Sequence, residues 1–309
     1  MMKVFDTCRI CGSSAFEHLC MKDGQEYVRC VRCNLASVSK SNIEVVQRNE
    51  VSQGGHHVSE AKQAWDFSEV KRKIVFRPRL LEIERYAPGR RLLDIGCSND
   101  AFIEAAVHDG WDAQGVELNK ESVRFARNRG MTIYGQPLEH IGFSLSSFDV
   151  LTMWQVIEHI DSPAVLLAEC RKILRSGGLV AVSTLNLRSI GWEMLQSTWP
   201  AVDPKCHCHL FCPDNLQMLF AQSGFQVCSV KTIELQPATF KALKRKLRGK
   251  PEKKPTNEMA TLARSSSSKN LALLFRFPFN FEPVFTGNWA WRGYIWYFQG
   301  DRRFSSQTV

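Results

Sequence analysis

The chain has 309 residues, 44% of them hydrophobic and 23% charged, enough for one sizeable core plus a smaller module. No apolar run reaches the ~18–20 residues that span a bilayer, and the start MMKVFDTCRI lacks the apolar stretch of a signal peptide, so a cytoplasmic enzyme is the default expectation. The net charge of +9 points to nucleic acid only until it is located: residues 240–254 carry eight Lys or Arg against Glu252 and supply +7 of it, so the body of the protein is not basic.

At the N-terminus Cys8, Cys11, Cys30 and Cys33 form C-x2-C, 18 residues, C-x2-C. This is the spacing of a zinc ribbon, in which two knuckles close four thiolates around Zn²⁺. Gly12 and Asn34 follow the pairs and suit the left-handed turn of a knuckle. With no open ligand position the metal would be structural, and residues 1–40 would depend on it to fold. Disulfides are the competing reading; the missing secretion signal and the other cysteines scattered among apolar residues weigh against them. Cys20, between the pairs, is read as a spare.

Residues 41–64 read as a polar connector, with His56 and His57 in a solvated loop. From Trp65 to Tyr86 an apolar pattern (Trp65, Val70, Ile74, Leu80, Leu81) predicts a helix lying over a pocket. Strands and helices then alternate. Strands are expected at 91–95, 112–117, 131–134, 148–154, 178–184 and 225–231, and helices at 99–109, 119–129, 163–174 and 213–223. That alternation predicts a doubly wound, Rossmann-like α/β sheet over 65–232. Gly110, Gly130, Gly177-Gly178 and Gly224 fall where helices should stop, while Ser162-Pro163 and Asp214 or Asn215 fit helix starts. Residues 233–270 form a basic insertion, and RGYIWYFQGD, within 271–309, reads as a final strand.

The run LLDIGCSNDAF at 92–102 is the most informative segment. Leu92, Leu93 and Ile95 make a buried strand, Gly96 allows a tight turn, and the next helix begins with free N–H groups that suit an anion. Glu117, in GVEL at 115–118, lies 21 positions beyond Gly96, near the spacing at which an acidic residue meets ribose hydroxyls.

These residues carry a resemblance. LLDIGCSNDAF, GVEL, FDVLTMWQVIEHIDSPAVLLAECRKILRSGGLVAVSTLN (148–186) and HLFCPDNLQMLFAQSGF (209–225) resemble the class I S-adenosylmethionine-dependent methyltransferases, in the branch of ubiquinone-type and sugar methyltransferases. The resemblance implies that Asp94 and Gly96 form the cofactor turn, with Ser98 and Asp100 where the family usually has glycine. It implies that Glu117 and Leu118 border the ribose, that Gln136 lies near the adenine, and that Trp154 and Gln155 line the methionine side. Asp100 brings a negative charge to a place where the methionine carboxylate could approach.

Methyl transfer is an in-line displacement governed by positioning, and an oxygen acceptor also calls for a base near neutrality. His159, His207 and His209 are the candidates. KCHCHLFC (205–212) also offers Cys206, His207, Cys208, His209 and Cys212 as ligands, but it lacks a second knuckle at zinc spacing and is read without metal. Trp192 and Trp199 are expected to shape the acceptor pocket. The acceptor implied is a small or glycan- or lipid-linked molecule, with a sugar or polysaccharide intermediate favoured. An RNA methyltransferase and an inactive cofactor-binding scaffold are the alternatives. For residues 240–254 a solvated insertion is the first reading and a peripheral lipid contact the second.

Overall fold

The computed structural model describes residues 7–39, 66–233, 245 and 293–300. Two sheets organise them. The larger has seven strands: β4 (Arg91–Ile95), β5 (Asp112–Val116), β6 (Ile133–Tyr134), β7 (Phe148–Trp154), β8 (Leu174–Thr184), β10 (Phe225–Ile233) and β11 (Gly293–Gly300). Their spatial order is β10-β11-β8-β7-β4-β5-β6, and β11 alone runs antiparallel, between β10 and β8. The chain leaves β4 toward β5 and β6, then crosses to β7 and β8 on the other side. The strand order thus reverses beside β4, where α/β sheets bind ligands.

Adjacent residues along the strands enter different cores. Leu93, Leu151, Val180 and Val182 pack in one cluster, whereas Leu92, Val150, Leu179 and Ala181 pack in another. Both faces are therefore covered, which is why these strands read as unbroken apolar runs. The covering helices include α3 (Ala101–His108), α4 (Lys120–Asn128), α6 (Pro163–Ile173) and α8 (Pro213–Gln222). A short α5 (Leu138–Ile141) precedes β7, and α7 (Ile190–Leu195) follows β8.

The segment before β4 departs from expectation. It comprises α1 (Glu69–Lys71), a π-helical turn (Arg72–Phe76) and α2 (Arg77–Glu84). Pro78 explains the break: it has no N–H to donate, and its ring clashes with the carbonyl four residues back. The buried face is Phe76, Leu80 and Ile83, while Val70, Ile74 and Leu81 are exposed. The wider turn moves the inward face away from the uniform helical register; Trp65 lies outside the described residues. Gly177-Gly178 also fall differently, inside β8, because α6 ends at Ile173 with Leu174 already extended. Helix α8 starts at Pro213, with Asn215 reaching back to accept from the Cys212 N–H at 3.0 Å.

The smaller sheet joins the two ends of the chain's described core. β1 (Phe16–Lys22), β2 (Gln25–Cys30) and β3 (Ala36–Val38) form an antiparallel meander, and β9 (His209–Leu210) pairs with β3. The cysteine module thus shares a sheet with the Rossmann-like body. Cys8, Cys30, Cys33 and Leu35 also pack in one cluster with Leu93, Phe211 and Leu216. His56, His57 and all but Arg245 of the basic stretch 240–254 lie outside the described residues. Among the described residues no helix is long and apolar enough to cross a membrane.

Candidate active site

The turn after β4 is held in a conformation that ordinary side chains disfavour. Gly96 has φ +73°, and a Cβ there would lie 2.6 Å from Val156 Cγ2. Ser98 and Asp100 are also left-handed, at φ 52° and 60°, so two non-glycine residues occupy the positions where glycine is usual. The amides of Gly96 and Cys97 both donate to Val116 O, at 2.8 and 3.1 Å, tying the end of β4 to the end of β5.

Glu117 stands at that junction. One carboxylate oxygen accepts from the Ser98 N–H at 2.8 Å and the other from the Asn119 N–H at 2.7 Å. The carboxylate is thereby fixed at the strand tips, half-buried, with Leu118 exposed beside it. Asn99 of the turn donates to the buried Asp66 at 2.7 Å, so the segment before α1 closes over the turn. Neither Asp66 nor this contact was flagged by sequence, since nothing marks an acid that sits 33 positions from its partner.

The Asp100 side chain is fully buried, and its nearest opposite charge is Arg129 at 3.5 Å, a residue that also stacks 4.0 Å over Phe67 and pairs with Glu104. Burial raises the Asp100 carboxyl to about 6. Asp94, buried beneath the turn, accepts from Thr152 Oγ1 at 2.5 Å, and burial raises it to about 7.

At the tip of β7, Trp154 lies under the Arg79 guanidinium (4.6 Å to the ring centroid) and edge-on to Phe102 at 5.2 Å. Its indole N–H is buried and has no hydrogen-bond partner among the described residues. Gln155, at φ +58°, turns its amide inward, donating to Glu158 Oε1 and accepting from the Thr184 N–H, each at 3.2 Å. Gln136 is exposed beyond β6, where it donates to His140 O at 3.1 Å.

The three histidines divide. His159 and His207 meet edge to face, ring centroids 4.8 Å apart, and the Nδ1 of His159 lies 3.0 Å from Cys206 O. Burial, with the neighbouring His159, lowers His207 to about 3, so its ring is neutral at physiological pH. His209 is elsewhere. Its Nδ1 lies 2.8 Å from Ser37 Oγ and its Nε2 2.9 Å from Asp161 O, at zero exposure. Both ring nitrogens are engaged across the seam between the two sheets, which gives His209 the geometry of a strut and not of a base. Trp192 and Trp199 are buried in one apolar cluster with Tyr27 and Val38.

Against this geometry stand the relatives. Residues 66–230 match the family described as "Methyltransferase domain". The chain belongs to that family. It is 28% identical over 225 residues to a ubiquinone biosynthesis O-methyltransferase of Bordetella avium, covering 67% of this chain and 90% of the relative. It is 25% identical over 222 residues to one of Paracidovorax citrulli, covering 66% and 90%. Among solved structures, a SAM-dependent methyltransferase from Archaeoglobus fulgidus aligns with TM-score 0.47 and 19% identity over 74% of this chain and 94% of that one. The protein is an S-adenosylmethionine-dependent methyltransferase.

The methyltransferase's cysteine module brings four thiols together beside the body. Cys8 and Cys33 Sγ are 3.4 Å apart, Cys11 and Cys30 3.5 Å, and all four sulfurs lie within 4.8 Å of one another. These separations exclude S–S bonds of about 2.05 Å and match the edges, about 3.8 Å, of a tetrahedron with 2.3 Å metal–sulfur bonds. Gly12 and Asn34 are left-handed at φ 68° and 60°, as the knuckles require. From this module Tyr27 Oη donates to His207 O (2.9 Å) and Lys22 Nζ to Trp199 O (2.5 Å). In return Asn215 of the methyltransferase body donates to Cys33 O at 3.2 Å.

Proposed function

We propose that the enzyme transfers the methyl group to a hydroxyl oxygen of a small-molecule acceptor, with the strand tips of β4, β5 and β7 holding the cofactor. The observation that carries this is the Glu117 carboxylate, pinned by two turn amides at the switch point with both oxygens still able to accept from ribose hydroxyls. Gly96, Ser98 and the first amides of α3 cradle the methionine end, Leu118 and Gln136 border the adenine, and the Trp154 N–H faces the remaining polar atoms. When bound, S-adenosylmethionine supplies an electrophilic methyl on sulfonium sulfur. The chain's residues then position the acceptor oxygen about 3–3.5 Å from the methyl carbon, exclude water and handle the hydroxyl proton. The His159–His207 pair assists the departure of that proton. The O-methyltransferase names of the relatives favour oxygen over nitrogen or carbon.

A four-cysteine zinc centre braces the acceptor side in this proposal, on the strength of its sulfur geometry. Within the acceptor class, a glycan- or lipid-linked hydroxyl is the narrower reading, and an acceptor panel with sugar nucleotides and quinol precursors separates it from a free phenol. Calorimetric titration with S-adenosylhomocysteine tests the cofactor site first. Glu117→Gln should weaken binding by about tenfold or more. His159→Ala with His207→Ala should abolish turnover at unchanged cofactor affinity; full turnover in that double variant would remove both histidines from the chemistry.

A further inference from the structure

The run KCHCHLFC holds more than the sequence suggested, because folding re-sorts its ligands. Cys208 is buried and donates to His159 O, His209 is spent on the seam, and Cys212 caps α8. Cys206, whose thiol donates to Asp203 O at 3.7 Å, and His207 lie beside His159, a residue 47 positions upstream of Cys206 in the 3-10 turn Ile157–His159 that follows β7. One ligand atom from each of the three lies within 4.8 Å of the others, at half-buried positions.

We propose that His159, Cys206 and His207 form a second metal site, for Zn²⁺ or a similar borderline divalent ion, separate from the four-cysteine centre. Three observations carry it. The donor set, two imidazoles and one thiolate, is the soft-to-borderline chemistry that selects Zn²⁺ over Mg²⁺ or Ca²⁺. The Nδ1 of His159 is anchored at 3.0 Å to a backbone carbonyl, which places the ring proton there and makes Nε2 the basic nitrogen, the arrangement that orients a metal-binding histidine. And the loop carrying Cys206 and His207 is held in place through Tyr27, whose hydroxyl donates to His207 O, so two of the ligands are braced from the cysteine module. His207 Nδ1 accepts from the Asp203 N–H at 3.1 Å, so ligation by this ring exchanges that bond for the metal.

Three protein ligands leave a tetrahedral ion one open position, as in catalytic sites and unlike the closed four-cysteine centre. The role deepens the acceptor reading above. With the ion held by these three residues, a hydroxyl at the open position would have its pKa lowered and would give its proton to solvent; its oxygen pair would form the bond to the methyl carbon, and the carbon–sulfur pair would leave with the thioether. His159 and His207 would then act by holding the ion rather than by taking the proton.

The test is metal content of the full-length protein reconstituted with Zn²⁺ and, in parallel, with Co²⁺. Two ions per chain are expected, and stepwise Co²⁺ addition should give two distinct visible spectra, one of a tetrathiolate and one of a single-thiolate, nitrogen-rich site. Cys206→Ser with His159→Gln should remove one ion and the second spectrum while keeping the tetrathiolate bands, which also report that the protein is folded. A wild-type chain that saturates at one ion with tetrathiolate bands alone overturns the proposal, and so does a double variant that retains both ions. Binding of S-adenosylhomocysteine, measured on the same samples, reports the cofactor reading independently. A lost second ion with intact cofactor binding therefore separates the two.

Discussion

The two ends of the active site proposed above are built by opposite means. The cofactor end is largely local. Between Arg91 and Asn119 the chain makes a strand, a strained turn, a helix and a second strand, with Ser98 to Glu117 and Gly96 to Val116 in contact inside that stretch. Asp66 and the β7 residues Thr152 and Trp154 join it from outside. The acceptor end is assembled from afar: Ser37 meets His209 across 172 positions, Tyr27 meets His207 across 180 and Asn215 meets Cys33 across 182. One end stores strain and buried acids; the other depends on a separate module to exist. Damage should therefore spread differently from each.

The largest expected effect is at the acceptor end. Cys30→Ser removes a fully buried cysteine side chain, and with zinc bound as proposed above the loss of metal-linked folding energy should cost on the order of several kcal/mol. Because Cys30 shares its cluster with Leu93 and Phe211, the wild type should melt in one calorimetric transition, and the variant in one transition at lower temperature. Two independent transitions would show that the modules are merely adjacent. Next comes His209→Ala, which strands Ser37 Oγ and Asp161 O in a dry interface at about 2–4 kcal/mol. The comparison predicts lost acceptor turnover with S-adenosylhomocysteine affinity retained; equal loss of both would mean the ends are mechanically one.

The smallest effect belongs to the buried acids of the cofactor end, and its signature is pH. Burial raises Asp94 to about 7 and Asp100 to about 6, so the folded state holds protons the unfolded chain has released. Their stabilising contribution is complete below about pH 4 and is lost as pH rises through 6 and 7. Urea melts of the apo-protein should show stability falling over that window, by at most about 1.4 kcal/mol per pH unit for each group. Asp94→Asn with Asp100→Gly should flatten the slope, the glycine also relieving about 1 kcal/mol of left-handed strain against the lost Arg129 pair. A slope unchanged in the double variant would assign it to other groups.

What sequence made legible follows the same division. Strand β4, the Gly96 turn and Glu117 were readable because their signals are short-range: an apolar run, a glycine and a spacing. The knuckles were readable for the same reason, through Gly12 and Asn34. The shared sheet was not, since β9 is two residues long and carries no period of its own, and its partner is β3 in the other module. The buried face of the first helical segment was misread because a π turn ahead of Pro78 changed the phase that a uniform helix would keep. His209 looked like a base by position, and only its two partners reveal a strut. The Arg129 partner of Asp100 was not legible either, since 29 positions separate the two and no local period links them.

The place of β11 has a consequence for how the protein is made. A ribosome delivers β8 and β10 long before Gly293–Gly300, with residues 234–292 in between, yet β11 is the strand that lies between them. For that interval the nascent sheet lacks the strand next to its β10 edge, with the open edge of β8 presenting unpaired amides and carbonyls to any extended chain nearby. Closing so distant a pairing is slow, so until Gly293–Gly300 is delivered and paired this enzyme stays exposed to misassembly at that edge.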